Sequence, residues 1–570
     1  MYAIISIISS AAGNKNHKNS GDSEMKKKNS PLLILLIISL TCAVLATSGC
    51  SSTEESGAQE EVSGMDLASG SEGASQVEED SEANTLILGE MWEIDTINTI
   101  DGDGGTLICE KAAVTETLVG ANEDFSLKPG LATSWEQLDE NTWEFKLREN
   151  VTFHDGSPMT ANEVKFTLEK VIEANPRVDS MLKIDSMEVV DNHTLKIKTT
   201  EINPILPGIL HYPDTAVISP SSFDEAGEFV KPIGTGPYKF ESFDEQTRVL
   251  TVVKNENWWG GEVGLDKMIL KGIPDPNTRA MAIENGEVDF TVDVPYSETD
   301  RIDAIEGINV EKYKTPRVYK IDVNLNHEPL EDVRVRQAMS YAIDRAGIVE
   351  HVLYNVGEAA AGPFLPTMVW ANQSLSPYTR DLEKADELLT AAGWVDTDGN
   401  GIRDKDGEPL KLNMMTYSAR PGLPPMAEAM AAQLREAGID VETEVMEMGA
   451  INDRKEKGNW DLYLAAYNIA MVPDPEYILT NWYMTDGPDN GPGYSNPEVD
   501  ALITEARKIT DLEERYKKFN EVEAIVYDEQ PMIIVAYYGC AIVKKDYVKG
   551  YVFDPTAHDY RINADMYLEK

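Results

Sequence analysis

Seven histidines (17, 154, 193, 211, 327, 351 and 558) are scattered along the chain with no spacing that would bring several imidazoles onto one metal ion. No Gly-x-Ser-x-Gly elbow, no His-Glu-x-x-His and no Gly-x-x-x-x-Gly-Lys occurs, so nucleophilic, zinc-hydrolytic and phosphate-cradling chemistry all lack their residues. The chain is therefore not expected to be an enzyme, and no cofactor is expected. One stretch has the oxygen pattern of a calcium loop. Asp396, Asp398, Asn400 and Asp404 fall at positions 1, 3, 5 and 9, with Gly401 at position 6. Position 12 is Gly407, so the glutamate that would close such a loop is missing. The same residues equally make a tight turn between a helix and a strand.

With 570 residues, of which 42% are apolar, the chain can bury more than one domain core. Its formal charge of −49 argues against nucleic-acid binding, which needs a basic face. Four cysteines are too few for a disulfide scaffold, and Cys42 and Cys50 fall in a targeting segment. That segment has a basic start, Met25-Lys-Lys-Lys28, and an uncharged apolar run from Pro31 to Ala46. It ends in small residues just before Cys50, the arrangement of a signal peptide over 25–49 rather than of a spanning helix. Cys50 is the expected lipidation site, although Thr47 stands where a lipobox usually has Leu. Residues 1–24 read as an over-extended start and lie outside the fold.

From residue 50 to 85 the composition shifts to Ser, Gly, Ala and acids, without Lys or Arg, which predicts a disordered acidic tether. The body opens with a strand at Leu86. Asn141–Arg148 alternates, putting Trp143, Phe145 and Leu147 on one face of a strand. A helix over Ala161–Glu173 starts at the cap Thr160, and strands are expected over His193–Thr199 and Arg248–Lys254. After Lys320 strand and helix alternate regularly. Helices are predicted over Val333–Val352, Leu382–Ala392, Pro425–Ala437, Pro497–Ile509 and Leu512–Glu529. Strands are predicted over Leu410–Tyr417, Val441–Met446, Trp460–Asn468 and Met532–Tyr538. The pattern implies an α/β protein of two lobes.

Eight segments in order carry a family resemblance. Gly130-Leu-Ala-Thr-Ser-Trp135, Trp143-Glu-Phe-Lys-Leu-Arg148 and Val151-Thr-Phe-His-Asp-Gly156 resemble the signature block of family 5 extracellular solute-binding proteins, the peptide- and nickel-binding components of ABC importers. Gly234–Tyr238, Asn257–Gly261, Thr278–Asp289, Val333–Arg345 and Gly493–Asp500 continue it, so that the likeness spans about 86–570. It implies a cleft-closing, type II periplasmic-binding-protein-like fold. Lobe I would be 86–318 with a subdomain inserted at about 124–225, lobe II 319–530, and 531–570 would return to lobe I. It implies a monomeric, lipid-anchored, extracytoplasmic receptor that hands a peptide or metal-chelate ligand to permease subunits. A ligand sensor built on the same body is the alternative, and a secreted hydrolase lacks its nucleophile and base.

In α/β lobes ligands meet strand carboxyl ends and helix N-termini, which singles out Trp92, Tyr417, Arg420, Tyr467, Asp474 and Tyr538. Arg177 corresponds to an arginine that nickel-complex binders of the family set against a carboxylate. Departures accompany it. Ile108 stands near their cleft methionine, Tyr212-Pro-Asp214 near a second arginine, and no histidine lies between 352 and 557. Cys109 and Cys540 either pair or remain two buried thiols.

Overall fold

The computed structural model describes residues 84–102 and 104–570. The signal segment, the lipidation site Cys50 and the tether lie outside the described residues. No described helix is long and apolar enough to cross a membrane.

The first half of the chain supplies β1 (Thr85–Glu90), then β2 (Ala132–Asp139), β3 (Thr142–Leu147), β4 (Ile184–Asp191) and β5 (Thr194–Thr199). It continues with β6 (Tyr238–Asp244), β7 (Val249–Lys254), β8 (Lys267–Gly272) and β9 (Phe290–Val292). The long β10 (Ile308–Val323) and short β11 (Gly357–Ala359) precede β12 (Lys411–Thr416), β13 (Asp440–Val445) and β14 (Leu462–Asn468). The last long strand, β15, covers Met532–Lys545. Eleven of these strands form one sheet in the order β13-β12-β14-β10-β15-β9-β1-β8-β7-β6, with β11 added on β15. The antiparallel pair β10 and β15 sits at its centre. Strands of the first half lie on one side of the pair and strands of the second half on the other, which makes the two lobes.

Each lobe contains parallel pairs, β1 with β8 and β9, and β12 with β13 and β14. Parallel strands need a crossover, usually a helix. Helix α1 (Gly104–Lys111) follows β1, while α2 (Ala161–Ala174) and α3 (Pro176–Leu182) belong to the four-stranded sheet β2-β3-β5-β4. Helix α4 (Pro276–Asn285) follows β8, α5 (Val333–Ala342) follows β10, α6 (Leu423–Glu436) follows β12 and α7 (Pro475–Tyr483) follows β14. Trp143, Phe145 and Leu147 are all buried, as their alternation requires. Thr160 caps α2 in a full capping box with Glu163.

Two elements depart from the sequence reading. The helix expected over Val333–Val352 stops at Ala342, because Ile343 is extended and Asp344 caps a new short turn by accepting from the Gly347 N–H at 3.0 Å. Arg345 drives the break. Its buried guanidinium donates to the Ser340 and Ile534 carbonyls, at 2.8 and 2.9 Å. The strand expected to end at Tyr538 continues to Lys545, because its second half pairs with the start of β10, 308–314.

Most family segments turn out to hold the frame. Glu116 accepts from Thr235, Trp258 and Trp259 at 2.7, 3.3 and 2.8 Å, which knots Gly234–Tyr238 to Asn257–Gly261. His154 Nε2 meets the Gly236 carbonyl at 3.0 Å. Arg279, fully buried, donates to four carbonyls between Ile273 and Asp293, and Arg336 clamps those of Leu330, Glu331 and Glu529. The oxygen-rich stretch at 396–404 is a turn. Asp396 accepts from the N–H groups of Gly399 and Gly401, Asp398 from Asn400, and Asp404 from Thr397. Asn400 accepts from Ile402 at 2.7 Å. Gly399 and Gly401 have φ of 77° and 86°, which glycine adopts without strain.

Candidate ligand-binding cleft

Strand β1 ends at Glu90, and the chain then passes Trp92 before turning into α1. Here, at the carboxyl end of a parallel strand, lies a cavity of about 670 Å³ whose walls include Trp92, Glu93, Ile108, Lys111 and His558. That size fits a small organic ligand. A second cavity of about 720 Å³ shares Trp92, Glu93 and Asp95 with the first. It is bounded by 274–277 at the start of α4 in lobe I and by residues around Pro421 at the start of α6 in lobe II. Strand ends of both lobes thus border two cavities that share Trp92, Glu93 and Asp95 as wall residues.

A buried ionic cluster lies against the first cavity. The Asp559 carboxylate is 3.2 Å from Lys111 of α1, 3.0 Å from Arg317 of β10 and 3.1 Å from Arg420, which follows β12. His558 Nδ1 lies 3.0 Å from the same carboxylate. Lys111 also pairs with Glu90 at 2.8 Å, and the Tyr560 hydroxyl donates to Glu90. The C-terminal segment is strapped along α1 by this set, together with the Arg561–Glu110 pair and the Ile562 N–H on the Lys111 carbonyl at 2.9 Å. Burial pushes the Asp559 carboxyl up, yet Arg317, Arg420 and the neighbouring cations outweigh it and hold the group well below the usual carboxylate range. Burial, with Arg317 adding to it, lowers His558 to about 3, so its imidazole is neutral at pH 7.

The Arg420 guanidinium lies 4.9 Å from the Tyr538 ring centroid and 5.6 Å from that of Trp92. Tyr538 in turn donates to Asp293, whose carboxylate also accepts from the Ala541 N–H at 3.0 Å. Tyr417 is buried in the same core cluster as Tyr319 and Tyr538. Trp92, Arg420 and Tyr538, nominated from strand-end positions, are therefore brought together, and Tyr417 is close enough to Arg420 to help raise its guanidinium. Arg317 Nε and Arg420 Nη1 are buried and have no hydrogen-bond partner among the described residues. An unserved guanidinium N–H in a buried place is costly, and an incoming acceptor relieves it.

The other nominated residues stand apart from this cluster. Arg177, half-exposed on α3, reaches across to lobe II, where it donates to the Tyr477 hydroxyl and lies 3.5 Å from Asp489. Beside it, Asp214 accepts from Asn175 at 2.9 Å, and burial raises its carboxyl to about 6. Tyr467 is in register with Val318, one residue on from Arg317, so its side chain takes the opposite face of the sheet. There its ring packs 4.2 Å from the ammonium of buried Lys320 and edge-on to Trp482. Asp474 is engaged within lobe II. Its carboxylate caps α7 through the Glu476 N–H at 2.9 Å and pairs with fully buried Arg515 at 3.1 Å. Cys109 and Cys540 are free buried thiols, and burial pushes Cys109 up to about 12.

Sequence reasoning missed Glu90, Lys111, Arg317, His558 and Asp559. A signal for two of them exists. Glu110 and Lys111 interrupt the apolar run from Leu107 to Val114, and Arg317 interrupts a strand buried on both faces. Charges in such places are either paired or functional.

A family model described as "Bacterial extracellular solute-binding proteins, family 5 Middle" matches residues 126–490, more than half of the chain. The oligopeptide-binding protein AppA of Bacillus subtilis is 25% identical over 559 residues, covering 94% of this chain and 99% of its own. The nickel-binding protein NikA of Staphylococcus aureus is 25% identical over 460 residues, covering 80% and 90%. A crystal structure of NikA from Brucella suis in complex with Fe(III)-EDTA superposes with a TM-score of 0.77 at 27% identity, over 83% of this chain and 98% of that one. The two-lobed α/β architecture, the cavities at the strand ends and this match agree, and the chain belongs to the family 5 bacterial extracellular solute-binding proteins.

Proposed function

We propose that the protein is the extracytoplasmic receptor of an ABC importer, and that it captures a small peptide or a nickel chelate by closing its lobes. The observation that carries this reading is the grip on Asp559 by Lys111, Arg317 and Arg420, one from lobe I, one from the central strand and one from lobe II. A cavity bounded by groups of both lobes couples occupancy to lobe position. A ligand that contacts both sides binds the closed state better, and only such a difference shifts the population. Trp92, Tyr417, Arg420 and Tyr538 form the proposed contact set at the deep end. Arg177, which reaches from lobe I to lobe II, is proposed as a contact further along the seam, and Tyr467 as one on the sheet face opposite Arg317.

The relatives bear on the ligand class, one named for oligopeptides, one for nickel and one solved with a metal chelate. Two unserved guanidinium donors suit either class. In this proposal residues 25–49 are removed and Cys50 carries the lipid. The tether, which on this reading ends before Asn84 and β1, lets the body reach the permease subunits as a monomer. Small-angle scattering with and without a bound probe tests closure. The radius of gyration should fall on addition of either trialanine or nickel–histidine, and an unchanged curve with both would contradict it.

A further inference from the structure

The charges around the cleft are lopsided. Glu90, Glu93, Asp95, Asp275 and Glu447 line the two cavities, and Lys111 is the one Lys or Arg side chain among their described walls. Lys111 is itself neutralised by Glu90 at 2.8 Å and Asp559 at 3.2 Å. The remaining deep cations, Arg317 and Arg420, both turn to Asp559. One internal carboxylate therefore takes up all three positive groups that a ligand carboxylate would seek. Arg177, the other candidate cation, already faces Asp489. Arg248 pairs weakly with Asp95 at 3.8 Å, and both side chains are solvent-exposed.

Resting on the receptor reading above, we infer that the cleft selects ligands of zero or positive net charge, and that Asp559 sets this selectivity by occupying Lys111, Arg317 and Arg420 in advance. The two unserved donors, Arg317 Nε and Arg420 Nη1, can then donate to a neutral carbonyl or to one end of a zwitterion. An anionic ligand meets Glu93 and Asp95 at the mouth and, among the described residues, no unpaired cation at the deep end. A peptide with a lysine side chain, or a chelate without surplus carboxylates, is favoured. Like charges brought together without compensation are a means of rejecting the wrong partner.

Calorimetric titration of the full chain with three tripeptides, Ala-Lys-Ala, Ala-Ala-Ala and Ala-Glu-Ala, reads the inference directly. A second pair, nickel–bis-histidine and nickel–EDTA, covers the chelate class. Affinity should fall by about tenfold per unit of negative charge in whichever class binds, and the contrast should shrink at high salt. Asp559→Asn should narrow or invert the order, raising affinity for the acidic probe about tenfold. Should that variant fail to fold, Glu93→Gln at the exposed mouth should narrow the contrast about threefold. Equal or tighter binding of Ala-Glu-Ala and nickel–EDTA by the parent protein overturns the inference while leaving the receptor reading intact. Absence of binding by all five probes removes the receptor reading and the inference with it.

Discussion

The Asp559 carboxylate lies 3.1 Å from the Arg420 guanidinium, joining a residue near the end of the chain to the loop that follows a strand of lobe II. Both side chains are almost fully buried, and Lys111 and Arg317 share the same carboxylate. Buried pairs of this kind contribute little net stability against an apolar alternative, yet breaking one leaves a charge stranded. Their value here is positional, since they fix three cations from different elements around one point beside the cavity.

Arg420→Ala should therefore lower both stability and ligand affinity. The expected destabilisation is about 1.5–3 kcal/mol, from the lost charge-assisted hydrogen bond, because Asp559 keeps Lys111 and Arg317 as partners. Arg420→Lys keeps the charge but loses the planar fork that faces Asp559, Tyr538 and Trp92 together, and should recover stability better than affinity. Chemical denaturation and probe titration of the two variants separate the effects.

Acid should loosen the molecule through Asp559. Its folded pKa is depressed, so its contribution is fully present above the unfolded value of about 4 and is lost as pH falls through the folded value. Denaturation midpoints should drop steeply below about pH 4, and Asp559→Asn should flatten that limb.

Asp214 has the opposite sign. Its folded pKa is raised to about 6, so stability is greatest below the unfolded value and declines as pH rises from about 4 to 6. Asp214→Asn keeps an acceptor for Asn175 and should stabilise the protein at pH 7 by about 2–3 kcal/mol. Urea titrations at pH 4 and pH 7 check this, with the gain confined to the higher pH.

Asp474→Ala should cost stability and spare binding. Removing the cap of α7 costs about 1 kcal/mol, and Arg515 retains only Glu476 as its carboxylate partner. Probe affinity should stay within about twofold of the parent, as expected for a residue outside the cleft.

Local patterns were legible where local physics decides. The alternation through Trp143, Phe145 and Leu147 marks a half-buried strand, and Thr160 with Glu163 marks a helix start. Where distant parts decide, the sequence is silent. The helix at Val333 breaks because Arg345 finds the Ile534 carbonyl, 189 residues away. Strand β15 outruns its expected end because its partner lies in the first residues of β10. At the site, Trp92, Tyr417, Arg420 and Tyr538 follow from the rule that ligands meet strand ends. Asp559 does not, since it follows no strand and gains its meaning only from Lys111, Arg317 and Arg420. Asp474 also sits just beyond a strand end, but its helix cap and Arg515 claim the carboxylate.

Native mass spectrometry of the protein purified without added ligand, set against its denatured mass and a nickel analysis, tests the central claim most directly. A receptor should carry an excess mass that is lost on denaturation, either as one nickel-containing species or as a family of peptide masses, and should regain it when the probe is returned. Identical native and denatured masses, with no adduct after addition of tripeptides or nickel–histidine, would contradict the account.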